Sequence, residues 1–166
     1  LSWLQEHARD CAPADPYCIF QVSTTTGEST YVIRSHRSFV GQTPHFAEGL
    51  RTAGEPPRVL LLNSLNHSAG HTSVSLAMEI SAEMGLPSKI DRPAPPLEVR
   101  EFAPHIAITS DRVISTILDQ IGEAPLFGAG PTKAVIVGPN IDPALLTRLI
   151  AAGIDAGECY GTQETG

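Results

Sequence analysis

Apolar residues along this chain fall into two patterns. Short continuous runs bounded by turn formers alternate with stretches in which apolar positions return every three or four residues. The first pattern marks strands packed on both faces, and the second marks amphipathic helices. Tyr17-Cys18-Ile19-Phe20-Gln21-Val22 and Tyr31-Val32-Ile33-Arg34 are rich in β-branched and aromatic side chains, which predicts two extended segments. The hydroxyl-rich Ser23-Thr24-Thr25-Thr26-Gly27 lies in a loop between them. Val59-Leu60-Leu61-Leu62-Asn63, Ile106-Ala107-Ile108 and Lys133-Ala134-Val135-Ile136-Val137 predict three more strands, and residues 88–91 a short one.

Helix signals fall between these runs. Residues 1–10 suit a short helix that the two prolines of Cys11-Ala12-Pro13-Ala14-Asp15-Pro16 break. Ser35 is an N-cap for a helix reaching about Leu50, with Pro44 placed to bend or split it. Beyond Asn66-His67-Ser68-Ala69-Gly70, the residues Val74, Ala77, Met78 and Met84 recur at helical spacing, and Gly85 with Pro87 closes that segment. Pro93-Ala94-Pro95-Pro96 is a loop, and residues 97–103 and 113–121 are helical. Asp142 caps a helix that has Pro143 at its first position and runs through Ala152, where Gly153 ends it.

Strands alternating with helices of about ten residues predict an α/β layer, a mostly parallel sheet with helices on its faces. The expected organisation is a single α/β segment over 1–166, with a phosphate-loop part at 17–50 and a strand-helix part at 58–166. Ligands in such sheets bind at the carboxyl ends of the strands. Three Gly- or hydroxyl-rich segments follow predicted strands: 23–27, 138–140 and 160–166.

Composition narrows the function classes. With 166 residues, 42% of them apolar, the chain suffices for one domain or part of one. No apolar run approaches the ~20 residues of a spanning helix, so no membrane span is expected. Eleven Lys plus Arg against eighteen Asp plus Glu leave a net charge of −7, the wrong sign for a protein that grips phosphate backbones, so nucleic acid is not an expected partner. Cys11, Cys18 and Cys159 form neither a disulfide framework nor a zinc knuckle, and reduced thiols in the cytoplasm are expected. No leader is visible at Leu1-Ser2-Trp3, and both termini are expected to be internal to a longer polypeptide.

Two segments carry chemistry on their own residues. Four hydroxyls and a glycine at Ser23, Thr24, Thr25, Thr26 and Gly27 can wrap a polyphosphate with N–H and O–H donors, although such a Thr-rich stretch is equally a polar β-former. In Tyr160-Gly161-Thr162-Gln163-Glu164 an aromatic face suits a nucleobase and a carboxylate suits Mg²⁺; the alternative is a surface turn with a solvated Glu. His67 and His71 are four apart without the Glu of H-E-x-x-H, so they do not predict a metal site.

The order of Val22-Ser23-Thr24-Thr25-Thr26-Gly27-Glu28-Ser29-Thr30-Tyr31-Val32, Asn66-His67-Ser68-Ala69-Gly70, Gly138-Pro139-Asn140 and Tyr160-Gly161-Thr162-Gln163-Glu164 resembles the adenylate-forming superfamily of acyl-CoA and aryl-CoA ligases, peptide-synthetase adenylation domains and luciferases. The resemblance spans nearly the whole chain and implies the central part of that family's large N-terminal domain, with the C-terminal domain and its catalytic Lys outside the chain. It implies that Ser23, Thr24, Thr25, Thr26 and Gly27 hold the ATP phosphates and that Gly138, Pro139, Asn140 and Tyr160 hold adenine. It further implies His67, Gly161 and Thr162 at the acyl pocket, Gln163 at the α-phosphate and Glu164 on Mg²⁺. Where the family usually reads T-S-G-T-T-G-x-P-K-G, this chain has Thr24, Ser29, Thr30 and Tyr31 in place of Gly, Pro, Lys and Gly, and Gln163 stands in place of a Thr. The implied activity is activation of a carboxylic acid by ATP, then transfer to coenzyme A or to the phosphopantetheine of a carrier protein. The 166-residue chain alone is expected to be inactive.

The departures motivate a second reading, a non-catalytic nucleotide-binding or interaction domain. A Rossmann-like dehydrogenase fragment is a third, although Gly128-Ala129-Gly130 supplies only half of G-x-G-x-x-G. G-x-S-x-G is absent around Ser68. Arg34-Ser35-His36-Arg37 reads as a solvated loop.

Overall fold

The computed structural model describes residues 12, 14–23, 29–41, 43–51, 54–86, 96–121, 132–138 and 141–159. The first two strands, β1 (Pro16–Ser23) and β2 (Ser29–Ser35), pair antiparallel with Ile19 opposite Ile33 and Ser23 opposite Ser29. Ser35 is the N-cap foreseen from the sequence, its Oγ accepting from the Ser38 amide at 3.2 Å. The helix it starts is split into α1 (His36–Val40) and α2 (Thr43–Leu50). Pro44 lies in the first turn of α2, where its missing N–H has no helical partner to lose, so proline starts a new helix instead of continuing the old one.

The main sheet contains β3 (Arg58–Leu61), β4 (Glu83–Gly85), β5 (Ile106–Thr109), β6 (Thr132–Val137) and β7 (Ile154–Cys159), all parallel, in the order β4-β3-β5-β6-β7. The connecting helices are α3 (Ser68–Glu79), α4 (Pro96–Phe102), α5 (Asp111–Ile121) and α6 (Pro143–Ala151). Side chains alternate across each strand. Leu60, Leu62, Ala107, Ala134 and Ile136 meet α4, α5 and α6 through Val99, Ile114, Ile117, Leu118, Leu145 and Leu149. On the other face, Val59, Leu61, Ile106 and Ile108 meet Ala47 of α2 and Leu76 and Ala77 of α3. The continuous apolar runs therefore have the cause expected of them: both faces of the central strands are covered.

Helix ends follow their local chemistry. The Asp142 carboxylate accepts from the Ala144 amide at 2.9 Å, Pro143 occupies the first turn of α6, and Gly153 takes a φ of 74° just beyond it. Gly70 is set by close approach: a Cβ there would run into the Ser64 carbonyl, so only glycine lets the first turn of α3 pack on the Ser64-Leu65 backbone.

Five expectations change. Helix α3 ends at Glu79, Ser81 turns the chain with a φ of 54°, and Met84 belongs to strand β4. Buried Ser73, Leu76 and Ala77 define the core face of α3, whereas Met78 is exposed. Arg34 is 3% exposed and no solvated loop residue: its Nη2 donates to the Ser38 carbonyl at 2.8 Å and its Nε to Ser38 Oγ at 3.1 Å, tying β2 to α1. Ser23 is the last residue of β1, and it closes a strand of a separate antiparallel pair instead of the carboxyl end of a parallel strand. Pro96 opens α4 instead of closing a loop. The expected helix at 1–10, strand at 88–91 and loop at 93–95 lie outside the described residues.

Candidate functional site

Numbered along the main sheet alone, the strand order is 2-1-3-4-5, a doubly wound arrangement whose winding reverses between β3 and β5. The crevice at the carboxyl ends of these two strands is where such sheets bind ligands. Leu61 ends β3, Thr109 ends β5, Val137 ends β6 and Cys159 ends β7, so all four chains leave the sheet at one edge.

Sequence-derived candidates are brought to this edge. Gly138 directly follows β6, and its amide donates to the Cys159 carbonyl at 3.4 Å. Val137 is the register partner of Cys159, so β6 and β7 end side by side. His67 comes from the loop after β3. It caps α3 with an extended backbone (φ −117°, ψ 154°), yet its imidazole makes no capping hydrogen bond, and the side chain is exposed. The loop itself is rigidly held: the His67 amide donates to the Ser64 carbonyl at 3.2 Å, and the Gly70 amide to the His67 carbonyl at 3.0 Å. His67 is thus displayed by a braced backbone and not consumed by it.

His71, one turn further, has a different role. Its ring meets Phe20 edge-on at 5.3 Å and Tyr17 at 6.1 Å, docking the hairpin on α3. Tyr17 also meets His36 edge-on at 5.0 Å. Ser23 ends β1, opposite Ser29 of β2. Thr24, Thr25, Thr26, Gly27, Pro139, Asn140, Tyr160, Gly161, Thr162, Gln163 and Glu164 lie outside the described residues.

Asn63 escaped the sequence reading, which took it as the tail of an apolar strand. It follows β3 by two residues, beyond a ladder extended by the Leu62 amide donating to the Ile108 carbonyl at 2.9 Å. Its Nδ2 is buried and has no hydrogen-bond partner. The available signal was a polar side chain closing a buried run at a strand's carboxyl end.

A separate groove of about 340 Å³ opens between α2 and the outer strands, lined by His45, Phe46, Leu76, Lys133, Glu158 and Cys159 among others. It exists because edge strand β7 carries Asp155 and Gly157 on a face that no helix fully covers. Burial pushes the Cys159 thiol up, which keeps it protonated and weakly nucleophilic near neutral pH. Burial does the same to Cys18, partly offset by the Arg34 charge. Among the described residues no group of three or more His, Cys, Asp or Glu side chains assembles to hold a metal ion.

Structural comparison places these features in known company. The fold resembles an acyl-CoA synthetase (AMP-forming)/AMP-acid ligase II-like protein from Dyadobacter fermentans, at 14% identity and a TM-score of 0.70, over 97% of this chain and 44% of that one. It also resembles the N-terminal domain of FACL13 from Mycobacterium tuberculosis, at 20% identity and a TM-score of 0.69, over 99% of this chain and 43% of that one. A third similar structure is the o-succinylbenzoate CoA synthetase of Bacillus subtilis bound with its product analogue, at 14% identity and a TM-score of 0.74, over 93% of this chain and 31% of that one. The chain thus spans less than half the length of these proteins. No curated protein matches it. The model of the AMP-binding enzyme family matches residues 2–166, and the chain belongs to that family.

Proposed function

We propose that the protein containing this chain is a ligase that activates a carboxylic acid with ATP and passes the acyl group to a thiol. The observation that carries this reading is the family match over residues 2–166, supported by the His67 loop and Gly138 following parallel strands at their carboxyl ends. A carboxylate oxygen attacks the α-phosphorus in line, the bond to the β-phosphate oxygen breaks and pyrophosphate leaves. The thiol of coenzyme A or of a carrier-protein phosphopantetheine then attacks the acyl carbon, a C–S bond forms and AMP departs. Such catalysis consists mainly of holding two anions together and neutralising their charge.

The roles follow the motif order. Ser23, Thr24, Thr25, Thr26 and Gly27 wrap the outer phosphates, while Gly138, Pro139, Asn140 and Tyr160 hold adenine. His67, Gly161 and Thr162 face the acyl group, and Gln163 donates to the α-phosphate. Glu164 suits Mg²⁺, a hard cation that typically takes one or two carboxylates and completes its shell with phosphate oxygens and water. When bound, Mg²⁺ supplies neutralisation of phosphate charge. The catalytic Lys and the C-terminal domain belong to the part of such proteins that this chain does not span, so the chain alone gives no turnover. No helix among the described residues is long and apolar enough to cross a membrane, and we assign the protein to the cytoplasm, where Cys18 and Cys159 stay reduced.

The test is carboxylate-dependent pyrophosphate–ATP exchange in the full-length polypeptide with a panel of aryl and fatty acids, beside Glu164→Ala. One acid switching on exchange, and its loss in the variant, is the expected result. The departures at Thr24, Ser29, Thr30, Tyr31 and Gln163 favour a second reading, a degenerate nucleotide-binding domain. MgATP binding without exchange for any acid selects it.

A further inference from the structure

We infer that the groove over Gly157 takes the body of the carboxylic acid, and that its shape selects an unbranched medium-chain acid over short and aryl acids. The inference deepens the ligase reading above and rests on it. It starts from a glycine that the backbone does not need. Gly157 lies in the middle of β7, where glycine weakens a strand and marks a place that another group approaches closely. Its φ is outside the left-handed region, and a Cβ built there would meet nothing within 4 Å. Neither conformation nor crowding asks for glycine, so what the missing side chain provides is empty space above the strand.

Alternation decides on which side that space lies. Ile154 and Ala156 pack towards α4, α5 and α6, so Gly157 turns to the α2–α3 face, as its register partner Val135 does. There the groove of about 340 Å³ opens, at the small end of the range for small-molecule sites. Phe46 and Leu50 of α2, Leu76 of α3 and Val135 of β6 give it apolar walls, and Gly157 is its floor.

The groove also has a direction. Cys159 lines it at the carboxyl end of β7, next to Gly138, whose amide donates to the Cys159 carbonyl at 3.4 Å. That is the end of the sheet where ligands bind, and Cys159, held protonated by burial, serves there as a small apolar side chain. Lys133 and Asp155, register partners and both exposed, line the groove at the amino ends of β6 and β7. Lys133 Nζ donates to the Gly49 carbonyl at 3.0 Å and so holds the last turn of α2 over this far end. From Asp155 to Cys159 the strand rises about 13 Å, at about 3.3 Å per residue. A volume of about 340 Å³ drawn out over that length is a slot one alkyl chain wide. The acid lies in it with its carboxylate at the Cys159 end and its methylenes along the apolar walls. Chain that continues past Lys133 and Asp155 re-enters water and buries nothing further.

The experiment uses the full-length polypeptide as wild type, Gly157→Ala and Gly157→Leu, with butanoate, octanoate, decanoate, tetradecanoate and benzoate. Calorimetric Kd and the KM in pyrophosphate–ATP exchange are measured for each acid, and the melting temperature checks folding. In wild type the Kd is expected to fall about threefold per added methylene up to decanoate, then to change less than twofold on going to tetradecanoate. Gly157→Leu, whose side chain enters the open space, is expected to keep the wild-type melting temperature and to cut the preference for decanoate over butanoate at least about tenfold. Gly157→Ala is expected to cut it less, in the same direction. A wild type without this length dependence, a wild type that prefers benzoate, or a Gly157→Leu protein that keeps the wild-type preference overturns the inference. So does a Gly157→Leu protein that unfolds while Gly157→Ala folds normally, because another part of the polypeptide then fills the groove. Absence of exchange with every acid fails the ligase reading instead, and the calorimetric series still decides whether the groove takes the chain.

Discussion

The imidazole of His71 meets the ring of Phe20 edge-on, with centroids 5.3 Å apart and planes at 84°. This contact joins the two-stranded hairpin to helix α3 and so to the main sheet. An isolated hairpin is marginal in water, so the β1–β2 pair depends on this docking. Phe20 is 4% exposed. Phe20→Ala is expected to cost about 3 kcal/mol and to weaken MgATP binding. Urea denaturation beside an ATP titration checks both, and His71→Ala is expected to move them in the same direction by less.

Gly70 sits where α3 touches the Ser64 carbonyl, whereas a Cβ at Gly157 points into open space. Gly70→Ala is therefore expected to destabilise by about 1–3 kcal/mol through overpacking against backbone that cannot yield. Gly157→Ala is the control and is expected to leave the melting temperature nearly unchanged. Equal shifts for the two variants would contradict this account of the His67 loop.

Asp142 holds the first turn of α6 through one hydrogen bond to the Ala144 amide at 2.9 Å. Asp142→Ala is expected to lower stability by about 1 kcal/mol, and Asp142→Ser to restore most of it. Chemical denaturation of the three proteins checks the order.

Burial pushes Cys159 up from the ordinary thiol value of 9.0, so the fold favours the protonated form. The unfolded chain loses this proton first as pH rises, and the stability contributed by the buried thiol is present below pH 9.0 and lost above it. Denaturation midpoints compared at pH 8 and pH 10 are expected to fall more for wild type than for Cys159→Ala. Iodoacetamide at neutral pH is expected to label Cys159 more slowly in the native than in the unfolded protein.

Local pattern alone determined much of this protein. The unbroken Val59-Leu60-Leu61-Leu62 run carries its own strand, and Asp142, Pro143 and Gly153 delimit α6, because capping and periodicity involve only neighbours a few residues apart. The order of the four motifs likewise suffices to point to the family matched over residues 2–166. Tertiary structure decided the rest. Strand order β4-β3-β5-β6-β7, and with it the switch point beside Asn63, depends on pairing between residues far apart in the chain, as with Val59 and Ile106. Met84 leaves the helical pattern because Glu83–Gly85 finds a partner strand in β3. Local sequence specifies which conformation a segment favours, but which face is covered and which polar group is left without a partner are set only when distant elements meet.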